Sequence, residues 1–111
     1  MKTTLAGIEI EQGSTNPYAD LGFPDADEML VKAKLAHEIA QIIRSRHLTQ
    51  QVAADLLGMP QPKLSEMLRG KFRGISQAKM IECLNRLGRD VDIVVKKASR
   101  SAPGHTQVVV A

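Results

Sequence analysis

Few residues of this chain have types and spacings that could support enzyme or metal chemistry. His37-Glu38 is not followed by the second histidine that a zinc protease helix requires, and His37, His47 and His105 have no ligand spacing. No Gly-rich loop precedes a Lys-Ser/Thr pair, and no nucleophile elbow appears. The sequence therefore predicts a protein that is not an enzyme and that uses no metal and no cofactor.

Charge is distributed unevenly along the chain. Residues 1–31 contain one Lys and six Asp/Glu, a net charge of −5, whereas residues 32–111 contain fourteen Lys/Arg and six Asp/Glu, a net charge of +8. This asymmetry indicates a surface that attracts polyanions, joined to an acidic arm. The only aromatic residues are Tyr18, Phe23 and Phe72, too few for a base-stacking platform. An RNA-recognition sheet or a single-strand-binding barrel is therefore disfavoured.

The single cysteine, Cys83, bears on the cellular compartment. A lone thiol cannot form an internal disulfide, which favours a reducing, cytoplasmic location. Cys83 lies in an apolar helical stretch, so we expect it to be part of the core. The sequence shows neither a signal peptide nor an apolar run long enough to span a membrane.

Residues 49–70 satisfy the spacing rules of a helix-turn-helix. Two short helices held at a fixed angle need a small residue where they approach each other, here Ala54, the fifth position counted from Gln50. The turn favours glycine at the ninth position because of its positive φ, and Gly58 lies there. The positions that must be apolar to pack on the domain are Ala53, Leu57, Met59, Leu64 and Met67. All seven constraints are met, so the pattern is a strong signal.

The segment from Leu48 to Gly70 resembles the helix-turn-helix of phage repressors and of the wider XRE family. The shared signature is Leu-Thr-Gln, the alanine, the glycine and the closing Leu-x-Gly, and the likeness covers about residues 30–88. The whole chain also resembles HigA-type antitoxins, through the segments 18–22 and 87–94. The resemblance implies a sequence-specific DNA-binding regulator, an antitoxin of a type II pair that represses its own operon. A stand-alone repressor and a helical protein-interaction domain are the alternatives.

The resemblance also implies roles for individual residues. Gln50 would hold a phosphate and brace the reading helix, and Gln61 would read adenine through its amide in the major groove. Pro62 departs from the usual polar residue and offers only apolar contact, for example to a thymine methyl group. Ser65 and Glu66 would lie on the exposed face one turn later, where Glu66 could accept from cytosine N4 or repel the backbone. The cations that would neutralise phosphates are Lys63, Arg69, Lys71 and Arg73.

Each of these residues has a simpler interpretation. Gln50 could only cap the first helix of the motif, and Gln61 could cap the second without contacting a base. Lys63 could be solvated, and Lys71 and Arg73 could belong to an ordinary basic loop.

The elements around the motif predict a mainly α fold. We expect a lambda repressor-like domain of four to five helices over residues 25–88, after an irregular acidic arm over residues 1–24 in which residues 8–11 could form a strand. The first helix should begin near Asp25, and Ser76 should cap a helix that ends before Gly88. Residues 89–97 should contain a short β-strand, followed by a tail over residues 98–111.

The predicted C-terminal strand suggests a homodimer. Val91, Ile93 and Val95 alternate on one face, and a single strand would leave its backbone groups unpaired. Pairing with the same strand of a second subunit would form a two-fold interface that matches a palindromic operator on double-stranded DNA. Pairing within the chain, with residues 8–11 or 106–110, is the alternative. A small basic toxin would be the further partner, held by the acidic arm, with or without the C-terminal tail.

Overall fold

The structure is a computed structural model that describes residues 2–5, 8–11, 16–98 and 103–111. Within these residues it has five helices and one two-stranded sheet, so the mainly helical prediction is confirmed. The elements are β1 (Lys2–Leu5), β2 (Ile8–Glu11), α1 (Pro17–Asp20), α2 (Ala26–Ser45), α3 (Gln50–Leu57), α4 (Gln61–Leu68) and α5 (Gln77–Arg86). The two strands are antiparallel, with Lys2 opposite Glu11 and Leu5 opposite Ile8.

Helix α2 is the central element of the domain. It begins after Asp25 at the position expected from the sequence, with acidic residues in its first turn and Arg44 in its last. It packs against α1, α4 and α5, so its wide apolar stripe is almost entirely buried. At its end, the Arg46 side chain donates to the backbone carbonyl of Leu87, 2.5 Å away, and thereby joins the C-terminal ends of α2 and α5.

The helices enclose one hydrophobic core. Its largest fully buried side chains are Phe72, Ile39, Leu57, Leu64, Met67, Met80, Leu87 and Cys83. Burying a side chain of this size contributes about 1.5–3 kcal/mol relative to leaving it exposed. The expectation that Cys83 belongs to the core is confirmed, and burial raises the pKa of its thiol. Within the described residues, no helix is both long enough and apolar enough to cross a membrane.

The described residues of the segment 1–24 contain regular elements that the sequence analysis did not predict. Residues 8–11 do form a strand, β2, and it pairs with β1. The short helix α1 follows because Asn16 caps it: the Asn16 side-chain oxygen accepts from the backbone N–H of Tyr18 at 2.9 Å and of Ala19 at 3.3 Å. Pro17 occupies the first helical position, where its missing N–H costs nothing.

The C-terminal strand prediction is wrong for the single chain. Residues 91–98 have no regular secondary structure and form no β-ladder in the described structure. Val91 lies half-buried against the core, whereas Ile93 and Val95 are 81% and 93% exposed. The physical reason is the missing partner: in the described residues the sheet contains only β1 and β2, and residues 106–110 are not in a strand, so neither intramolecular candidate pairs with residues 91–98.

Candidate nucleic-acid interface

The two helices of the motif are joined by a turn whose geometry follows from its sequence. Thr49 caps α3 by accepting from the backbone N–H of Val52 at 3.2 Å. Gly58 ends α3 in the left-handed conformation, with φ of 64° and ψ of 38°. Its N–H and that of Met59 bond back to the carbonyls of Asp55 and Ala54, which closes the helix. Pro60 then precedes the first residue of α4.

The seven positions identified in the motif behave as expected. Ala54 is 1% exposed, and α3 and α4 pack against each other. Gly58 is the left-handed residue of the turn. The five apolar positions are all buried: Ala53, Leu57, Met59, Leu64 and Met67. The register assigned from the sequence is therefore confirmed.

Gln50 and Gln61 lie together at the open end of the motif. The Gln61 amide nitrogen donates to the Gln50 side-chain oxygen at 3.0 Å, so the two helices are bridged at their first residues. Neither residue is a cap, because Thr49 precedes α3 and Pro60 precedes α4. Gln50 is exposed and Gln61 is half-buried. This bond leaves the Gln61 side-chain oxygen and one amide proton free of the bridge.

The remaining predicted contact residues of α4 lie on its outer face. Pro62, Lys63 and Glu66 are exposed, and Ser65 is half-buried. Arg69 follows directly after α4 and is also exposed. The opposite face of α4 carries Leu64 and Met67, which are fully buried. The helix thus presents one mixed polar face to solvent.

A shallow groove separates α4 from the loop that follows it. The groove is lined by Pro60, Pro62, Lys63, Glu66, Lys71, Gly74 and Ile75. Lys63 and Lys71 therefore contribute two cations to one surface depression, although they come from different elements. Phe72, next to Lys71, is fully buried and anchors the loop to the core. The sequence analysis treated this loop only as basic and missed its buried aromatic anchor.

Arg73 differs from the other predicted phosphate ligands. Its guanidinium forms an ion pair with Asp25 and lies over the Phe23 ring, 5.0 Å from the ring centroid. Phe23 in turn packs near Tyr18, with 6.1 Å between ring centroids. Burial raises the pKa of the Tyr18 hydroxyl, and the positive charge of Arg73 opposes that rise. Arg73 is thus close to Lys71 in sequence, but it makes contacts within the protein.

A neighbouring depression adds residues that the sequence analysis did not include. It is lined by Gly58, Met59, Pro60, Lys63, Gly74, Ile75, Ser76 and Lys79. The Lys79 ammonium contacts Glu82 at 3.2 Å and the Leu57 carbonyl at 3.5 Å. Lys79 and Arg86 both lower the pKa of the Glu82 carboxyl, with Lys79 the larger influence. The signal was available in the spacing of Lys79, Glu82 and Arg86 along one helix face.

A metal site needs several His, Cys, Asp or Glu side chains that converge. Within residues 16–98 and 103–111, no group of three His, Cys, Asp or Glu side chains could hold a metal ion. The polar residues that converge are amides and cations at the start of α4 and along the loop after it. Such groups recognise nucleic acid through base edges and phosphates.

The comparisons with known proteins agree with this geometry. Residues 17–96 match the family described as "Helix-turn-helix domain". A solved structure named "Putative XRE Family Transcriptional Regulator" superposes with a TM-score of 0.73 at 39% sequence identity, covering 79% of this chain and 100% of that chain. No match was found among curated proteins.

Because the family match covers residues 17–96, the chain is a helix-turn-helix protein. This is a class of DNA-binding proteins that are generally not enzymes. More particularly, it belongs to the XRE family.

Proposed function

We propose that this protein is a sequence-specific transcriptional regulator that inserts α4 into the major groove of double-stranded DNA. The observation that supports this best is the Gln61–Gln50 bridge at 3.0 Å. A side chain that reads a base must be held in one orientation, and a bridge to the neighbouring helix provides that constraint. The free part of the Gln61 amide suits the N6 and N7 atoms of adenine.

The test is binding to an operator obtained by selection from a random duplex library. Gln61→Ala should weaken binding to the selected site by about 1–3 kcal/mol and relax the preference at one base pair. Gln51→Ala is the matched control, because Gln51 is an exposed glutamine of α3 that donates only to Asp55, at 3.2 Å. An equal loss on all sequences for Gln61→Ala would contradict base reading.

Within this proposal, phosphate contacts come from Lys63, Arg69 and Lys71. The sequence analysis also expected Arg73, but its guanidinium pairs with Asp25. The assignments of Lys63 and Lys71 are supported by the groove that both residues line. Lys71→Ala should weaken binding on every sequence and reduce the slope of log affinity against log salt by about one. An unchanged slope would place Lys71 away from the DNA backbone.

The proposal extends to a homodimer built through Val91, Ile93 and Val95. Support comes from the exposed run Ile93-Val94-Val95, each residue at least 78% exposed in the single chain. Pairing with the same segment of a second copy would satisfy the backbone groups of both. Two copies of α4 about 34 Å apart would then read successive major grooves of a palindromic operator.

The proposal also includes an antitoxin role with autorepression. The surface around α1 supports it, because Leu21 and Phe23 are 66% and 40% exposed beside acidic residues. Apolar anchors with a negative surround fit a small basic protein. The exposed acidic residues there are Asp20, Asp27 and Glu28.

Co-expression with the product of the adjacent reading frame tests the antitoxin role. A stable complex that is lost in Leu21→Asp, and a promoter reporter repressed by the chain, are the expected results. A chain that represses its promoter but forms no complex with the neighbouring product would instead be a stand-alone repressor.

A further inference from the structure

The loop over residues 71–74 is held against the N-terminal part of α2 by both the side chain and the backbone carbonyl of Arg73. The Arg73 guanidinium pairs with the Asp25 carboxylate across 48 positions of sequence. The Arg73 carbonyl accepts from the Lys32 ammonium at 3.1 Å, across 41 positions. Both ends of Arg73 are therefore held by the first two turns of α2 and the residue before it.

Lys32 is unusual because its side chain is almost fully enclosed. The residue is only 4% exposed, and lysine is rarely buried unless its charge is paired. Glu28, one turn earlier on α2, supplies that pairing at 3.3 Å. A buried ammonium cannot reach DNA. The contact of Lys32 with the Arg73 carbonyl therefore holds the loop and does not contribute a phosphate contact.

The consequence for the loop follows from its order of residues. Phe72 is fully buried, Lys71 before it lines the groove beside α4, and Arg73 after it turns toward α2. Fixing Phe72 and Arg73 leaves little freedom for the backbone of Lys71, whose N–H also bonds to the Glu66 carbonyl at 2.9 Å. The backbone of Lys71 is thus restrained from the α2 side of the loop as well as by the core and by α4.

We propose that Asp25, Lys32 and Arg73 form a strut that positions Lys71 for a DNA phosphate, and that Arg73 is a positioning residue rather than a phosphate ligand. The strut rests on the proposed DNA-binding function. Because Asp25 already neutralises Arg73, the strut brings no free cation of its own to the interface. Its contribution is to reduce the number of orientations that Lys71 must lose on binding.

The substitution Asp25→Asn distinguishes the strut from a simple charge effect, because the two predict opposite changes in DNA affinity. Removing a carboxylate near DNA should tighten binding, and freeing Arg73 to contact phosphate should tighten it further. The strut predicts the opposite, about fivefold weaker binding with a salt slope reduced by up to about one. The substitution is nearly isosteric, and the Asp25 side chain makes no capping hydrogen bond that would be lost.

The measurement is fluorescence anisotropy with a mixed-sequence duplex of about 30 base pairs between about 50 and 200 mM salt, because phosphate contacts need no operator. Asp27→Asn is the matched control: it removes the same charge two positions further on, where Asp27 contacts Asn16 rather than the loop. It should bind at least as tightly as the wild type. Binding by Asp25→Asn that equals or exceeds that of Asp27→Asn would overturn the strut.

A double-mutant cycle between Lys32 and Lys71 provides the second readout. Lys32→Met should lower the salt slope as Lys71→Ala does, and the double variant should bind no more weakly than Lys71→Ala alone. Lys34→Met is the control, since it removes the same charge about 200° around α2. Additive losses, or a stability loss with an unchanged slope, would overturn the positioning role. A wild-type chain that does not bind duplex DNA would overturn the proposed function as well.

Discussion

The motif over residues 49–70 and the segment over residues 91–98 both contain several aliphatic residues, yet they differ in outcome. In the motif, the apolar side chains that face the domain are buried, only Val52 and Leu56 are exposed, each at 47%, among its large hydrophobics, and every helix end has a defined conformation. In the segment, Ile93, Val94 and Val95 are all exposed, and no β-ladder forms. The difference lies in where the partners of each region are found.

The partners of the motif are within the same domain. Helices satisfy their backbone hydrogen bonds internally, so each needs only an apolar surface to pack against, and α2 and α5 provide it. A strand needs another strand, and in the described residues neither β1 nor β2 pairs with residues 91–98. Local sequence rules therefore determine the structure of the motif. Whether residues 91–98 form a strand depends instead on a pairing partner.

The largest expected effect compares a motif side chain with a segment side chain. Leu57→Ala should destabilise the fold by about 2–5 kcal/mol, because Leu57 is fully buried and the truncation leaves a cavity. Val95→Ala should change the free energy of unfolding of the monomer by less than about 0.5 kcal/mol, since Val95 is 93% exposed. Urea denaturation at low protein concentration measures both. Similar losses for the two variants would remove the contrast between the regions.

A smaller effect is expected where α3 and α4 approach each other. Ala54→Val adds volume at a position that is 1% exposed, and such overpacking costs about 1–3 kcal/mol. Ala78→Val is the control, because Ala78 is an exposed residue of α5. Thermal melting should separate the two variants clearly. Equal melting temperatures would mean that the helices can move apart at no cost.

Substitution in the turn between α3 and α4 should destabilise the fold less than substitution at the buried positions of the motif. Gly58→Ala places a side chain at φ of 64°, where the left-handed conformation costs about 1–2 kcal/mol, and its Cβ would lie 2.7 Å from an Arg86 nitrogen. Gly74→Ala is a suitable control, since a Cβ there meets no atom within 4 Å. Chemical denaturation of both should show a loss for Gly58→Ala alone. A stable Gly58→Ala would show that the turn relaxes.

These contrasts explain how far the sequence could predict the structure. Ala54 and Gly58 obey rules that depend on a few neighbouring positions, so the motif and its register could be assigned. The C-terminal strand was predicted from its alternation, but alternation shows only that a strand is compatible with the residues. Whether it forms depends on an edge that the sequence does not reveal.

Other features depended on contacts between distant positions. The four residues of α1 are too few for a helical period, although the Asn16-Pro17 pair was a usable cap signal. The ion pair of Arg73 with Asp25 spans 48 positions, and no local pattern announces it. The buried Lys32 had only its Glu28 spacing as a clue. The residues of the candidate DNA-contact surface could therefore be named from the sequence. The contacts of Asp25, Lys32 and Arg73 behind that surface could not.

The exposed segment raises the question of what covers it when the protein works. Three successive aliphatic residues at least 78% exposed are followed by Lys96 in a segment that pairs with no strand of the described structure. An unpaired segment with strand-forming residues can pair with another chain. In the proposed homodimer this partner is a second copy, which would also bring two reading helices to one operator.

The smallest expected effect on the fold, and the most informative about assembly, is therefore Ile93→Asp. Ile93 is 81% exposed, so the monomer should unfold with nearly unchanged free energy, within about 0.5 kcal/mol. In a dimer paired through residues 91–95, the same change buries an unpaired carboxylate at the interface, which is strongly unfavourable. Sedimentation velocity should show a monomer for Ile93→Asp and a dimer for both the wild type and Leu21→Asp, which places the same charge on an exposed residue outside the segment. If Ile93→Asp sediments as a full dimer, the interface lies elsewhere, and the segment stays unpaired even in the assembled protein.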